Sequence, residues 1–183
     1  MSTTAVVILA IVIVALVAVA AWLFSYRRRS DKLRARFGPE YSEALRRHGD
    51  RRRAELALEA RQKRMEQIHI RRLQPEERDR FATQWHAIQA EFVDSPLQAL
   101  QGADRLVSEL MLARGYPMAE FERRAEDLSV DHPHVVRNYR AAHEIALAKE
   151  HAGTEELRRG FVHCRDLFDE LLEVAAQPGR KLL

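Results

Sequence analysis

The chain has 183 residues and a formal net charge of +3, enough material for one domain and a connecting segment. Its single cysteine, Cys164, excludes an intrachain disulfide, and the apolar neighbours of Cys164 indicate a buried thiol. The charge is unevenly divided, because residues 27–72 hold 16 Lys and Arg against 7 Asp and Glu, whereas residues 73–183 hold 14 against 20. The sequence therefore predicts a basic segment followed by an acidic domain.

The first predicted element is a membrane anchor. Twenty residues from Ala5 to Phe24 contain no charge, proline or glycine, and as a helix they would be ~30 Å long, the thickness of a bilayer's hydrocarbon core. Residues 1–4 carry no charged side chain, whereas arginines follow the apolar stretch directly. The positive-inside rule then predicts an outside N-terminus and a cytoplasmic remainder. We expect residues 1–26 to form this single transmembrane anchor.

A cleaved signal peptide is the alternative for the same stretch. Ala18, Val19 and Ala20 form an A-x-A cleavage pattern. A signal peptide, however, has a basic segment before a shorter apolar core of ~7–15 residues. In this chain the cations follow the apolar residues, which favours the anchor, and cleavage after Ala20 stays open as the alternative.

Residues 27–73 are predicted to form a basic juxtamembrane helical stalk. A short helix from Asp31 to Phe37 should end at Gly38 and Pro39, and a longer helical pattern should run to about Ile70 with a bend near Gly49. A narrow stripe recurs in heptad steps at Ala54, Leu58, Arg61, Met65, Ile68 and Arg72. Its two arginines argue against a coiled-coil seam and favour a solvated helix that leans one edge on the domain.

The basic residues of the stalk predict contact with anionic lipid, because each cation near such a surface contributes ~1 kcal/mol. The residues that we expect to face headgroups are Arg27, Arg28, Arg29, Lys32, Arg51, Arg52 and Arg53. A solvated helix with intrahelical ion pairs is the plainer interpretation. Nucleic acid is disfavoured as a partner, because no aromatic residues interleave with the arginines to stack bases.

Residues 74–176 are predicted to form an antiparallel helical bundle. The pattern gives two helical hairpins, residues 75–114 and 134–175, joined by a shorter helix, with Asp131 as an N-cap for the helix that follows it. The apolar faces of the first and last helices are Phe81, Trp85, Ile88 and Phe92, and Leu157, Phe161, Cys164, Phe168, Leu171 and Ala175. Residues 177–183 should fray. The predicted fold class is therefore all-α.

Several short strings resemble a group of bacterial membrane-anchored helical proteins. They are RFGPEY (36–41), FVDSP (92–96), RGYP (114–117), LSVDHP (128–133), TEELR (154–158) and LFDELL (167–172). The resemblance covers nearly the whole chain after the anchor and implies a bacterial source, hence the inner membrane as the location. It implies no activity, cofactor or catalytic residue, since none is established for that group.

Candidate chemistry is sparse. Eight histidines are present, but a metal site in a bundle needs facing Glu-x-x-His pairs, which this sequence lacks. Neither a nucleophile motif nor a phosphate-binding glycine loop occurs. We therefore expect no metal, no cofactor and no catalytic residue. Asp104 and His143 are the polar residues predicted to be partly buried, either in a structural hydrogen bond or at the floor of a pocket.

The function that these features favour is protein interaction or scaffolding. A single-pass anchor would hold a cytoplasmic helical bundle at the membrane, with lipid headgroups and an unidentified protein as partners. The alternative is a ligand-binding or enzymatic domain that uses the bundle interior around Asp104 and His143.

Overall fold

The computed structural model describes residues 3–117, 119–147 and 152–173, and every regular element in these ranges is an α-helix. This confirms the all-α class. The described helices are α1 (Thr3–Phe37), α2 (Pro39–His48), α3 (Arg51–Met65), α4 (Pro75–Glu91), α5 (Pro96–Ala113), α6 (Phe121–Asp131), α7 (Val136–Leu147) and α8 (Thr154–Glu173). The tail predicted to fray, residues 177–183, lies outside the described residues.

Helix α1 continues from the apolar stretch through the arginines to Phe37. The prediction of a separate helix from Asp31 to Phe37 was wrong, because no glycine or proline stands between Phe24 and Phe37 to end the first helix. By length and composition, α1 could cross a membrane. None of its apolar window is buried within the protein, unlike the core helix of a soluble protein.

Sharp turns at Gly38 and Gly49 reverse the chain twice, so that α2 and α3 both lie alongside α1. Gly38 and Gly49 both have positive φ, +47° and +67°, which glycine adopts without steric cost. Asp50 then caps α3 by accepting a hydrogen bond from the Arg53 N–H at 3.0 Å. Where the sequence predicted a bend near Gly49, the chain reverses direction.

The direction of α2 and α3 follows from the residues that they bring together. Pro39 begins α2 beside the end of α1, yet the guanidinium of Arg51 lies 5.8 Å from the ring centroid of Tyr26, well back along α1. Farther along α3, Met65 lines a cleft together with Arg36. Thus α2 runs back toward the apolar part of α1, and α3 runs away from it in the same direction as α1.

One hydrophobic core joins residues of all eight described helices. Phe37, Tyr41 and Leu58 are at most 2% exposed and belong to the same cluster as Leu128 and Phe168. The stripe that contains Leu58 was predicted to lean on the domain, whereas burial of Leu33, Phe37 and Tyr41 was not predicted, although these three residues recur at steps of four. The core therefore includes helices on both sides of residue 73, the predicted boundary between stalk and bundle.

The later helices pack through an aromatic cluster. The Trp85 ring stacks on Phe161 and Phe168, with centroid distances of 5.2 and 4.6 Å, and Phe92 also contacts Phe161 at 4.8 Å. Cys164 is fully buried in the same face, and burial raises the pKa of its thiol. These contacts confirm the apolar faces predicted for α4 and α8 over the described residues.

The turn between α5 and α6 ties the end of the stalk to the later helices. Gly115 has a φ of +95°, and a Cβ there would lie 2.7 Å from the carbonyl oxygen of His69, so only glycine fits. The Arg71 N–H donates to the Arg114 carbonyl at 2.8 Å, and the buried Arg114 guanidinium donates to the Leu171 carbonyl at 3.1 Å. The RGYP segment thus connects the chain after α3 with the end of α5 and with α8.

Helix α6 ends later than the sequence predicted. Asp131 is its last residue and does not cap the next helix, which begins at Val136. The His132 N–H still donates to the Leu128 carbonyl, and Pro133 is the first residue that cannot donate such a bond. The His132 side chain bonds Glu170 at 2.6 Å, so α6 is also linked to α8.

Buried charges connect α2, α3, α6 and α7. The Glu40 carboxylate accepts a hydrogen bond from Arg140 at 2.6 Å and lies 3.7 Å from Arg61, which in turn bonds Glu126 at 3.0 Å. The side chains of Glu40, Arg61 and Arg140 are only 3%, 4% and 10% exposed. Because a buried charge without its partner is costly, this cluster fixes the α2–α3 hairpin against the later helices.

We expect Glu40→Gln to destabilise the protein by ~3–5 kcal/mol, because it leaves two buried guanidinium groups without their shared carboxylate. Chemical unfolding of the full chain in detergent, followed by circular dichroism, measures the loss.

Glu43→Gln is the matched control, since Glu43 lies on the same helix and pairs with Arg46 and Arg47 near the surface. Such exposed pairs contribute ~0–1 kcal/mol. Equal losses in the two variants would contradict the role assigned to Glu40.

Candidate functional site

The reversal of the chain at Gly49 brings two arginine runs to one end of the α1–α2–α3 unit. Arg51 lies over Tyr26, and Arg52 and Leu56 line a cleft of about 410 Å³ together with Trp22. The two runs are more than twenty residues apart in sequence. We call this end the basal surface and define it by Trp22, Tyr26, Arg27, Arg28, Arg29, Arg51, Arg52, Arg53 and Leu56.

All seven cations that the sequence assigned to lipid are exposed. Two of them have carboxylate partners: Arg29 forms a two-pronged pair with Glu59, and Arg51 bonds Glu55 at 3.0 Å. Within the described ranges, no ion pair is formed by the others, which are Arg27, Arg28, Lys32, Arg52 and Arg53. Their charge is therefore available to a partner outside the chain, while contact with lipid stays a prediction.

Apolar side chains lie on the same surface as these charges. Trp22 and Leu56 are 66% and 53% exposed, although they belong to different helices. The Arg28 guanidinium lies over the Phe24 ring at 4.4 Å. Aromatic rings beside cations are typical of the boundary between hydrocarbon and headgroups. The basal surface thus combines the two chemistries that such a boundary offers.

A buried polar cluster supports the basal surface from within. The Glu55 carboxylate accepts hydrogen bonds from Ser30, from Tyr41 at 2.8 Å and from Arg51 at 3.0 Å, so it joins α1, α2 and α3. Burial opposes the ionisation of Glu55, but these three donors outweigh it and hold the pKa of the carboxyl below its ordinary value. The ionised carboxylate therefore stabilises the junction of the three helices.

Asp104 and His143 lie elsewhere, between α5 and α7. Asp104 Oδ2 and His143 Nδ1 are 3.1 Å apart, and the imidazole stacks on Phe121 with a centroid distance of 3.6 Å. Both side chains are partly buried, at 16% exposure for Asp104 and 19% for His143. Among the described residues, no three His, Cys, Asp or Glu side chains converge to hold a metal ion.

Sequence analysis did not identify the polar residues that position the basal surface. Glu40 follows Pro39 at the start of α2, and its partner Arg140 is 100 residues away. Ser30 and Glu55 were not singled out from the sequence. The one available signal was the four-residue step from Phe37 to Tyr41, which indicates a helix face buried on both sides of Gly38.

Comparisons of the chain with protein-family models, with curated proteins and with solved structures each gave no match.

We expect Glu55→Gln to lower the thermal stability of the protein near neutral pH and to matter less in acid. Because the folded-state pKa of Glu55 is lowered, its stabilisation is complete above its ordinary pKa of 4.5 and is lost as the pH falls through the folded value. Thermal unfolding of both proteins between neutral pH and pH ~3 checks this, since the difference in melting temperature should shrink below that ordinary value.

Glu91→Gln is the control, because the exposed Glu91 forms no ion pair among the described residues. Its difference from the wild type should not change over the same range. A Glu55→Gln difference that is constant with pH would show that the carboxylate charge plays no part.

Proposed function

We propose that the chain is a single-pass membrane protein whose cytoplasmic helical domain rests on the inner leaflet through its basal surface. In this position the domain acts as a protein-interaction or scaffolding module. The observation that carries the proposal is the return of α3 to α1, with Arg51 at Tyr26 and Arg52 beside Trp22. A stalk extending straight from the membrane would carry its second arginine run far from the headgroups.

The orientation is supported by charge and by aromatic residues. Cations follow the apolar part of α1 and none precedes it, which favours a cytoplasmic C-terminal side. Trp22 and Tyr26 lie where interfacial rings are expected, and their rings stack at 6.1 Å. The resemblance of several strings to those of bacterial membrane-anchored proteins favours the bacterial inner membrane as the location.

An antiparallel bundle is the arrangement that we propose for the later helices. Phe92, at the end of α4, contacts Phe161 in the first half of α8, whereas the earlier Trp85 reaches the later Phe168. This order of contacts supports opposite directions for α4 and α8. Because buried charges fix the bundle to the α2–α3 hairpin, a partner protein bound to the bundle would be held at a constant distance from the membrane.

A ligand-binding or enzymatic role is the second candidate. One observation favours it: Asp104 Oδ1 is buried and accepts no hydrogen bond within the described chain, although its other oxygen bonds His143. A carboxylate and an imidazole held together could bind a polar ligand or move a proton. The scaffold proposal has broader support, because it uses the charges and exposed apolar residues of the basal surface.

The proposal predicts that anionic lipid protects the α2–α3 turn. Amide hydrogen exchange of residues 46–56 should be several-fold slower in nanodiscs containing phosphatidylglycerol than in phosphatidylcholine nanodiscs. Since each cation near the surface contributes ~1 kcal/mol, Arg52→Gln with Arg53→Gln should remove much of this protection. Salt at ~1 M, where the Debye length is ~3 Å, should do the same.

Arg71→Gln with Arg72→Gln is the control, because it removes two exposed cations beyond the far end of α3 and should leave the exchange unchanged. Equal exchange in both kinds of nanodisc would reject lipid contact at the basal surface. The mass of the intact protein in the same samples distinguishes an anchor from a cleaved signal peptide. A mature chain that begins at Ala21 would overturn the single-pass topology.

A further inference from the structure

A groove lies between α1 and α3 and has a volume of about 620 Å³. Ser25, Arg28 and Lys32 line it from α1, Lys63 lines it from α3, and Glu66 lines it from the turn directly after α3. The three α1 residues are spaced three and four apart, so they share one face of the helix. We call this space the α1–α3 groove. It differs from the cleft beside Trp22, which is lined by Arg52 and Leu56.

The charges of the groove are incompletely paired. It is lined by four cations and two carboxylates. One carboxylate, Glu59, is occupied by Arg29, and the other, Glu66, accepts a hydrogen bond from Gln62 at 3.0 Å. Over the described residues, Arg28, Lys32 and Lys63 form no ion pair. Four cations against two carboxylates leave the groove with a net charge of +2, which an anion from outside the chain would balance.

The position of the groove favours a lipid as the source of that anion. Ser25 directly follows the apolar stretch, and Lys32 lies ~10 Å farther along the helix at 1.5 Å per residue. A headgroup layer occupies the region just outside the ~30 Å hydrocarbon core. The groove thus begins at the edge of the hydrocarbon and extends through headgroup depth, and its volume lies within the range of small-ligand sites.

We propose that the α1–α3 groove binds the phosphate of one acidic phospholipid headgroup per chain. Arg28 contacts the phosphate from the hydrocarbon side, and Lys32 and Lys63 contact the headgroup from the two walls of the groove. This inference rests on the membrane placement in the proposed function and adds a discrete site to the diffuse attraction of the basal surface. The number of lipids held by diffuse attraction grows with the surface charge, whereas a groove of this size is filled by one headgroup.

Native mass spectrometry of the full chain, released from nanodiscs of mixed phosphatidylglycerol and phosphatidylcholine, tests the site. We expect one retained phosphatidylglycerol per wild-type chain. Lys32→Gln with Lys63→Gln should weaken retention ~30-fold, since each cation near an anionic headgroup contributes a factor of ~5. Both lysines are exposed, so the variant should keep the wild-type circular dichroism spectrum.

Arg52→Gln with Arg53→Gln is the matched control, because it removes two cations that lie outside the groove. It should retain the bound lipid while losing the slow exchange of residues 46–56, and the groove variant should show the reverse. Failure of the groove site is therefore distinct from failure of the basal surface.

Three results would overturn the proposal. Equal retention of phosphatidylcholine would show that headgroup charge is irrelevant, and unchanged retention in the groove variant would place the lipid elsewhere. Displacement of the lipid by inorganic phosphate would assign the site to a soluble phosphate ligand.

Discussion

The carboxylate of Glu40 lies between two buried guanidinium groups, and the rest of the architecture depends on this arrangement. Arg140 brings α7 to it and Arg61 brings α3, while Glu126 extends the cluster to α6. Burying such charges is favourable only when each finds its partner, so the cluster specifies one docking of the hairpin more than it adds stability.

A fixed hairpin has a direct consequence for the exposed charges. Since α2 runs back along α1, the turn at Gly49 reaches the level of Tyr26 along α1, and the arginines of α3 join those of α1 at one surface. The Glu55 carboxylate, bonded to Ser30 and Tyr41, holds this turn in place from inside. Buried polar contacts thus determine where exposed charges lie, and the exposed charges determine what the protein can bind.

The sequence predicted the elements better than their arrangement. The helix starts at Pro39, Pro75 and Pro96 have a local cause, since proline at the first helical position lacks an N–H that the helix would leave unpaired anyway. The arginine runs were also identified, since charge needs no tertiary context. The reversal at Gly49 was predicted only as a bend, because a glycine marks a break without fixing its angle. The buried clusters were missed, since a single sequence does not indicate which acidic residue meets which arginine across long separations. Both proposals, scaffolding and lipid binding, depend on that missing information.

The depth of Leu56 in a bilayer tests the central claim most directly. Spin labels placed by Leu56→Cys and Gln67→Cys, in separate full-length proteins in nanodiscs, report accessibility to oxygen and to a water-soluble nickel complex. Gln67 lies ~16 Å farther in the direction of α3 at 1.5 Å per residue, and the fully buried Cys164 should not take up label. A basal surface resting on the membrane predicts a higher ratio of oxygen to nickel relaxation at position 56 than at position 67, because Leu56 lies closer to the bilayer. Equal ratios at the two positions would show that α3 does not approach the bilayer and would contradict the account.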